Sequence, residues 1–500
     1  MYKLKLNPTS LSFLPILIFI PICINLINNI HFGGINLISE FILSAFMPKI
    51  NISILITVFN RLNETVLMAI SSWFFSIIFG IILGILSSNI LYEILDLPII
   101  FSKLIKIILT LIRSINEIIW GLLLMQIYGI NISVGIISIC IPYIAINAKV
   151  INEQLDIIDR KIIESILKIN GNKLSSLLTL IWNPLLETIR NFGFYRLECA
   201  LRSTTILGLF GLGGIGTSIY LSFKALSFRE LWTYLWSLGL LLIIFKFIFK
   251  FNVIKRVNFK VSFFTCLVLF TLSICSLFYF FEFLLAPSYA IKYSINNLYL
   301  LRKDFISYNF LKLIFETILL SISASAIAIS LPPFLSIVLI NKFWRYFVSG
   351  LSFFFRLIPP PITILILLMF NEPSISLAAL SLGIYNASII NKLLTKNLNY
   401  VELDQVIALD AIGAKKRISW LYGLFSKQAK SYLIYCLYRT DILIRDTALV
   451  GIIGSIGLGW QLQESISSFA WEEVSIILLS YSLIVIIGEL INDKIKKNLI

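Results

Sequence analysis

Six arginines stand inside stretches otherwise apolar enough to cross a bilayer: Arg113, Arg196 and Arg202 in the first half of the chain, and Arg356, Arg439 and Arg445 in the second. A charged side chain within a span costs about 2.5 to 3.5 kcal/mol on insertion scales, so such residues default to a functional role facing a bundle interior. The planar guanidinium fork matches phosphoryl oxygens in charge and geometry, which makes a small oxyanion the solute these arginines would suit. A second reading stays open beside it. Glu117 follows Arg113 by one turn, Glu198 precedes Arg202 by one, and Asp441 precedes Arg445 by one, the spacing at which helical side chains meet as structural ion pairs.

Other chemistry is poorly supplied. His31 is the sole histidine, and the six cysteines are scattered singly with no CxxC spacing, so neither a zinc site nor a disulfide framework has its ligands. A membrane enzyme would want His, Asp or Glu gathered at an active site. No GxxxxGK[ST] loop occurs, so the chain is not expected to cradle nucleotide phosphates itself.

The elements that must position these arginines are membrane helices. Of 500 residues, 58% are hydrophobic and 13% charged, with mean hydropathy +0.94, well above soluble-domain composition. Charge-free runs such as Leu11 to Ile30, Val66 to Ser88 and Val261 to Phe281 have the length of a spanning helix, and they lack the alternation of a transmembrane barrel. The first run carries Pro15 and Pro21 and no small-x-small cleavage pattern, so it is read as a retained span and not as a signal peptide. Lys and Arg exceed Asp and Glu by 41 to 26. The excess sits in short clusters beside the spans, which is a topology signal and not a nucleic-acid stripe. Lys3 and Lys5, the cluster from Lys246 to Lys260, and Lys494, Lys496 and Lys497 are expected in the cytoplasm, with both termini; Arg302, Lys303 and Lys312 run against that orientation.

The chain also resembles itself. Glu64-Thr65 matches Glu316-Thr317 at an offset of 252; further on the offset becomes 243, pairing Arg113 with Arg356, Arg196 with Arg439 and Arg202 with Arg445. Glycines 208, 211, 214 and 216 meet glycines 451, 454, 457 and 459. The expected organisation is two repeats, residues 1–255 and 256–500, each of six spans at roughly 10–30, 65–88, 100–128, 131–150, 185–210 and 231–250 and their equivalents. An even number of spans keeps the repeats parallel around an axis along the membrane normal, enclosing a path. The glycine stretches are expected to form a turn or external gate packed through small residues.

Between the fourth and fifth spans of each half lies a polar connection longer than a helical hairpin requires, 152–181 and about 396–427. The first carries Glu164, Gly171, Ile181 and Pro184; the second carries Asp410 and Gly413. Here the sequence resembles the permease subunits of binding-protein-dependent ABC importers, whose cytoplasmic EAA loop has a Gly followed after nine residues by Ile-x-Leu-Pro. Gly171, Ile181 and Pro184 keep that spacing; Glu164 stands one residue too early, and Ser426 replaces the second copy's proline. The segments Arg113-Ser-Ile-Asn-Glu-Ile-Ile-Trp120 and Arg202-Ser-Thr-Thr-Ile-Leu-Gly208 through Gly216 resemble the phosphonate-type branch of that family.

That resemblance implies an all-α integral membrane protein of about twelve spans, two fused copies of the type I importer permease fold, in the cytoplasmic (inner) membrane. It implies two ATP-binding-cassette ATPase subunits docking at the loops, a solute-binding protein, and ATP bound by those partners and not by this chain. The solute would be phosphonate, phosphite or a phosphate-like anion. A fused permease for ferric iron or thiamine is the nearest alternative; a membrane enzyme or gated channel lies further off.

Overall fold

The computed structural model describes residues 8–158, 173–250, 271, 274, 308–338, 342–398 and 404–499. Their regular secondary structure is helical, apart from an isolated bridge between Ile30 and Asn371. Among the described residues seven helices are long and apolar enough to cross a membrane, and up to ten spans result if each of three bent pairs counts as one. The equivalent of the first span in the second half, and the boundary near residue 255, lie outside the described residues.

By contacts the chain forms two compact units, Leu43–Asn296 and Met1–Ile42 with Asn297–Ile500. In the first, helix Ile52–Ser87 leads into the bent pair Ile100–Ser114 and Glu117–Tyr128, then Ile132–Asp156, Lys173–Leu209, the short Ile215–Lys224 and Phe228–Lys250. The second unit repeats that order with Tyr308–Val338, the pair Lys342–Leu357 and Pro360–Leu367, then Ile375–Leu398, Ser426–Gly454, Gly457–Ser467 and Trp471–Leu499. The chain's leading helices, Pro8–Phe13 and Ile16–Asn28, pack within this second unit, against Tyr308–Val338, Ile375–Leu398 and Ser426–Gly454. Two bonds fix the segment that follows them: the His31 N–H donates to the Phe370 carbonyl at 2.7 Å, and Asn371 Nδ2 donates to the Leu26 carbonyl at 2.9 Å.

Small residues set the closest helix pairing. Ile52–Ser87 lies along Ile132–Asp156, and a Cβ added at Gly80 would come within 2.6 Å of Asn147 Cβ, one at Gly84 within 2.9 Å of Ile151. This Gly-xxx-Gly face allows the backbone approach that drives helix association where lipid removes the hydrophobic incentive. The opposite face presents Phe79, Ile82 and Leu86 outward, as a lipid-facing surface requires.

The expected third span, 100–128, is not one rod. Ile100–Ser114 and Glu117–Tyr128 meet at 83°, and Phe347–Leu357 and Pro360–Leu367 at 95°. In the first unit Ile115 and Asn116 are extended, and the Asn116 side chain caps the new helix by accepting from the Ile118 N–H at 3.1 Å. In the second, Pro359 is extended and Pro360 and Pro361 open the next helix. Proline lacks the N–H to continue a helix but suits its first turn, where that donor would be orphaned. Two different local chemistries thus produce the same break.

Candidate functional site

The bend explains where Arg113 and Arg356 sit. Each lies in the last turn of the helix before the break, where carbonyls without intrahelical partners favour a cation by about 0.3 to 2 kcal/mol. Arg113 is buried and Arg356 half-buried, the latter with its guanidinium carbon 5.7 Å from the Phe353 ring.

Arg196 and Arg439 lie on the long helices Lys173–Leu209 and Ser426–Gly454 and are equally buried, both 6% exposed. The Arg196 guanidinium lies 3.9 Å over the Tyr143 ring, with Phe192 at 5.9 Å, a cation–π contact of the strong, desolvated kind. Tyr143 Oη and Ser203 Oγ are 2.8 Å apart, and Ser203 Oγ donates to Glu117 Oε1 at 2.7 Å. Three helices therefore meet around Arg196 through one polar chain. Glu117 belongs to the segment ending in Trp120 and Ser203 to the Arg202–Gly216 block, so the fold joins the two segments that carry the family resemblance. Trp120 Nε1 is shielded from solvent with no acceptor among the described residues.

In the second unit Arg439 Nε donates to Asn386 Oδ1 at 2.8 Å. Asn386 stands 243 residues after Tyr143, so both units hold their buried arginine against the same neighbouring position.

Of the three i, i+4 ion pairs that the spacing allows, Arg202 to Glu198 stands at 2.6 Å. Glu117 accepts from Ser203. Arg445 Nε donates to the Asp441 backbone carbonyl at 3.1 Å, while the Asp441 carboxylate accepts from Asn492 and faces Lys496 Nζ at 3.7 Å. These two partners come from the closing helix Trp471–Leu499, which sequence spacing within one helix could not bring forward.

The glycine blocks form turns. Gly211, Gly213 and Gly214 have φ of +95°, +99° and +76°, a region open to glycine at little cost. The helix that follows has its first donors satisfied from elsewhere: the Gly214 N–H bonds Glu64 Oε2 at 2.9 Å and the Ile215 N–H bonds Thr65 Oγ1 at 2.8 Å. The second unit repeats both bonds, Gly457 to Glu316 at 3.3 Å and Leu458 to Thr317 at 3.0 Å. The turn is thus an anchored structural element, and no phosphate cradle is needed to explain its glycines.

Among the loop residues, Glu164 and Gly171 lie outside the described residues, and Ile181 and Pro184 fall within helix Lys173–Leu209. The second loop is described. A short helix, Asp404–Ala411, ends where the Gly413 N–H bonds the Asp410 carbonyl at 3.0 Å, with Gly413 at φ +80°. It has no buried residue and packs against the π-helical turn Ser419–Phe425, whose Gly423 meets Val406. Asp410 is exposed, and Ile407 and Ile412 stand 63% and 79% exposed.

No family model matches the chain. It is similar to the cryptic phosphonate transport system permease protein PhnE2 of Escherichia coli K12, 26% identical over 121 residues, which are 24% of this chain and 99% of that protein. It is also similar to the phosphite transport system permease protein PtxC of Stutzerimonas stutzeri, 20% identical over 169 residues, 34% of this chain and 60% of that one. The alignment therefore spans nearly all of the first relative and less than two thirds of the second. A solved amino acid ABC transporter aligns at TM-score 0.31 and 17% identity, covering 42% of this chain and 96% of that one.

Proposed function

We propose that this chain is the membrane permease of an ABC importer that moves a phosphonate, phosphite or phosphate-like oxyanion across the cytoplasmic membrane, with ATP hydrolysed by separate subunits. The observation that carries this reading is the join at Glu117 and Ser203: the two segments resembling phosphonate-type permeases converge on a buried arginine within the membrane helices. Relatives named for phosphonate and phosphite transport support the same solute class.

The arginines act on the solute by charge and fork geometry, weakly enough that it leaves, with affinity supplied by a solute-binding protein. The polar loops, around Gly171 in the first repeat and from Asp404 to Gly413 in the second, insert into clefts on two ATPase subunits, a helix-in-groove contact. The exposed Ile407 and Ile412 suit that contact. One chain carries both repeats, so the assembly needs one permease and two ATPases.

The test is reconstitution of that complex in liposomes with its binding protein. Hydrolysis stimulated by phosphonate or phosphite is the expected result; stimulation by ferric iron or thiamine alone would move the assignment to the fused-permease alternative.

A further inference from the structure

The two units keep a buried arginine at the same register and differ in where the nearby acid comes from. Around Arg196 the chain of contacts runs through Tyr143 and Ser203 to Glu117. At the offset of 243, Asn386 replaces Tyr143, Asp446 replaces Ser203 and Pro360 replaces Glu117. At the positions of the hydrogen-bonded pair Glu117 and Ser203 the second half has Pro360 and Asp446: the acid is lost from one position and gained at the other. Glu117 and Pro360 are both the first residue of the helix after the break, a position proline fills without loss.

We infer that Glu117 and Asp446 are equivalent positioning residues, each supplying a carboxylate that holds its repeat's buried arginine, Arg196 or Arg439, in a fixed, charged arrangement. The inference rests on the transport reading above. Its physical ground is that a buried cation without a counter-charge is strongly disfavoured, while a second carboxylate would repel the oxyanion the arginine is there to pass. A single acid at this pair of positions meets both demands, and either helix can carry it. Hydrogen bonding alone does not explain the exchange, because an amide or hydroxyl at either position would maintain the bond.

The experiment is uptake by the assembled importer carrying Glu117→Gln, Ser203→Asp, or both. Gln keeps an acceptor for Ser203 and removes only the charge. The expected result is a fall of about tenfold in maximal uptake for Glu117→Gln, with the half-saturating concentration, membrane abundance and ATPase copurification unchanged. Ser203→Asp alone, with two carboxylates facing each other, falls further. The double variant, which places one acid where the second repeat has it, recovers most of the wild-type rate. The reciprocal pair, Asp446→Asn with and without Pro360→Glu, gives the same readout if the first set fails to accumulate. Wild-type rates in Glu117→Gln, or no recovery in a double variant that assembles normally, would overturn the inference. Absence of oxyanion uptake by the wild type would instead remove the transport reading, and this inference with it.

Discussion

Thr65 Oγ1 accepts the backbone N–H of Ile215 at 2.8 Å across 150 residues of chain, and Thr317 holds Leu458 in the same way at 3.0 Å. A side chain from the first long helix of each unit thereby caps the short helix that follows the glycine turn. Capping normally comes from the residue just before a helix. Here that position is Gly214 in the first unit, which has no side chain to offer, and Glu64 and Thr65 replace it from a distance.

Replacing Thr65 or Thr317 by Val leaves a buried N–H without its acceptor, at a cost of about 1 to 3 kcal/mol. Thermal unfolding of the purified complex should show the loss for Val and recovery for Ser. Equal stability of the Val variants would show that another acceptor takes over.

Two glycines in the same turn should respond differently to alanine. A Cβ at Gly216 would lie 2.0 Å from the Thr205 carbonyl oxygen, whereas one at Gly211 meets open space and only its φ of +95° is unfavourable. Gly211→Ala is expected to cost about 1 to 2 kcal/mol and to leave an assembled protein. Gly216→Ala, which must displace backbone, is expected to abolish accumulation in the membrane; immunodetection in membrane fractions separates the two.

Tyr143→Phe keeps the ring under Arg196 and loses only the hydroxyl link to Ser203, while Tyr143→Leu loses both. The cation–π share is about 2 kcal/mol at a desolvated site. Stability should therefore fall more steeply for Leu than for Phe in thermal unfolding, and equal losses would argue that the ring contact contributes nothing.

Charge placed on the exposed loop should break assembly without unfolding the protein. Ile407→Asp and Ile412→Asp are expected to reduce copurification of the ATPase while membrane abundance stays at the wild-type level. Full copurification of both would move the docking surface elsewhere.

Length and apolarity made the spans legible in the sequence, and the shared register of arginines and glycines made the two units' common element order legible too. The break at 115–116 was not, because Asn116 reveals its role only as a cap. The place of the leading helix was equally hidden: its residues carry a spanning signal but nothing that names the second unit as its neighbour. Among the arginines, spacing found the Glu198 and Arg202 pair because both lie on one helix. It missed Tyr143, Asn386, Asn492 and Lys496, which reach the long helices from neighbours distant in sequence. The coupling of Glu117 to Ser203 joins motifs that the sequence shows only separately.

The central claim is tested most directly by uptake in cells that lack their own phosphonate importer and express this chain with its binding protein and ATPase. Phosphonate, phosphite and phosphate serve as competing solutes. The account predicts ATP-dependent uptake of at least one of these oxyanions, lost when the ATPase is omitted. An assembled complex that takes up none of them, or that conducts without the ATPase, would contradict it.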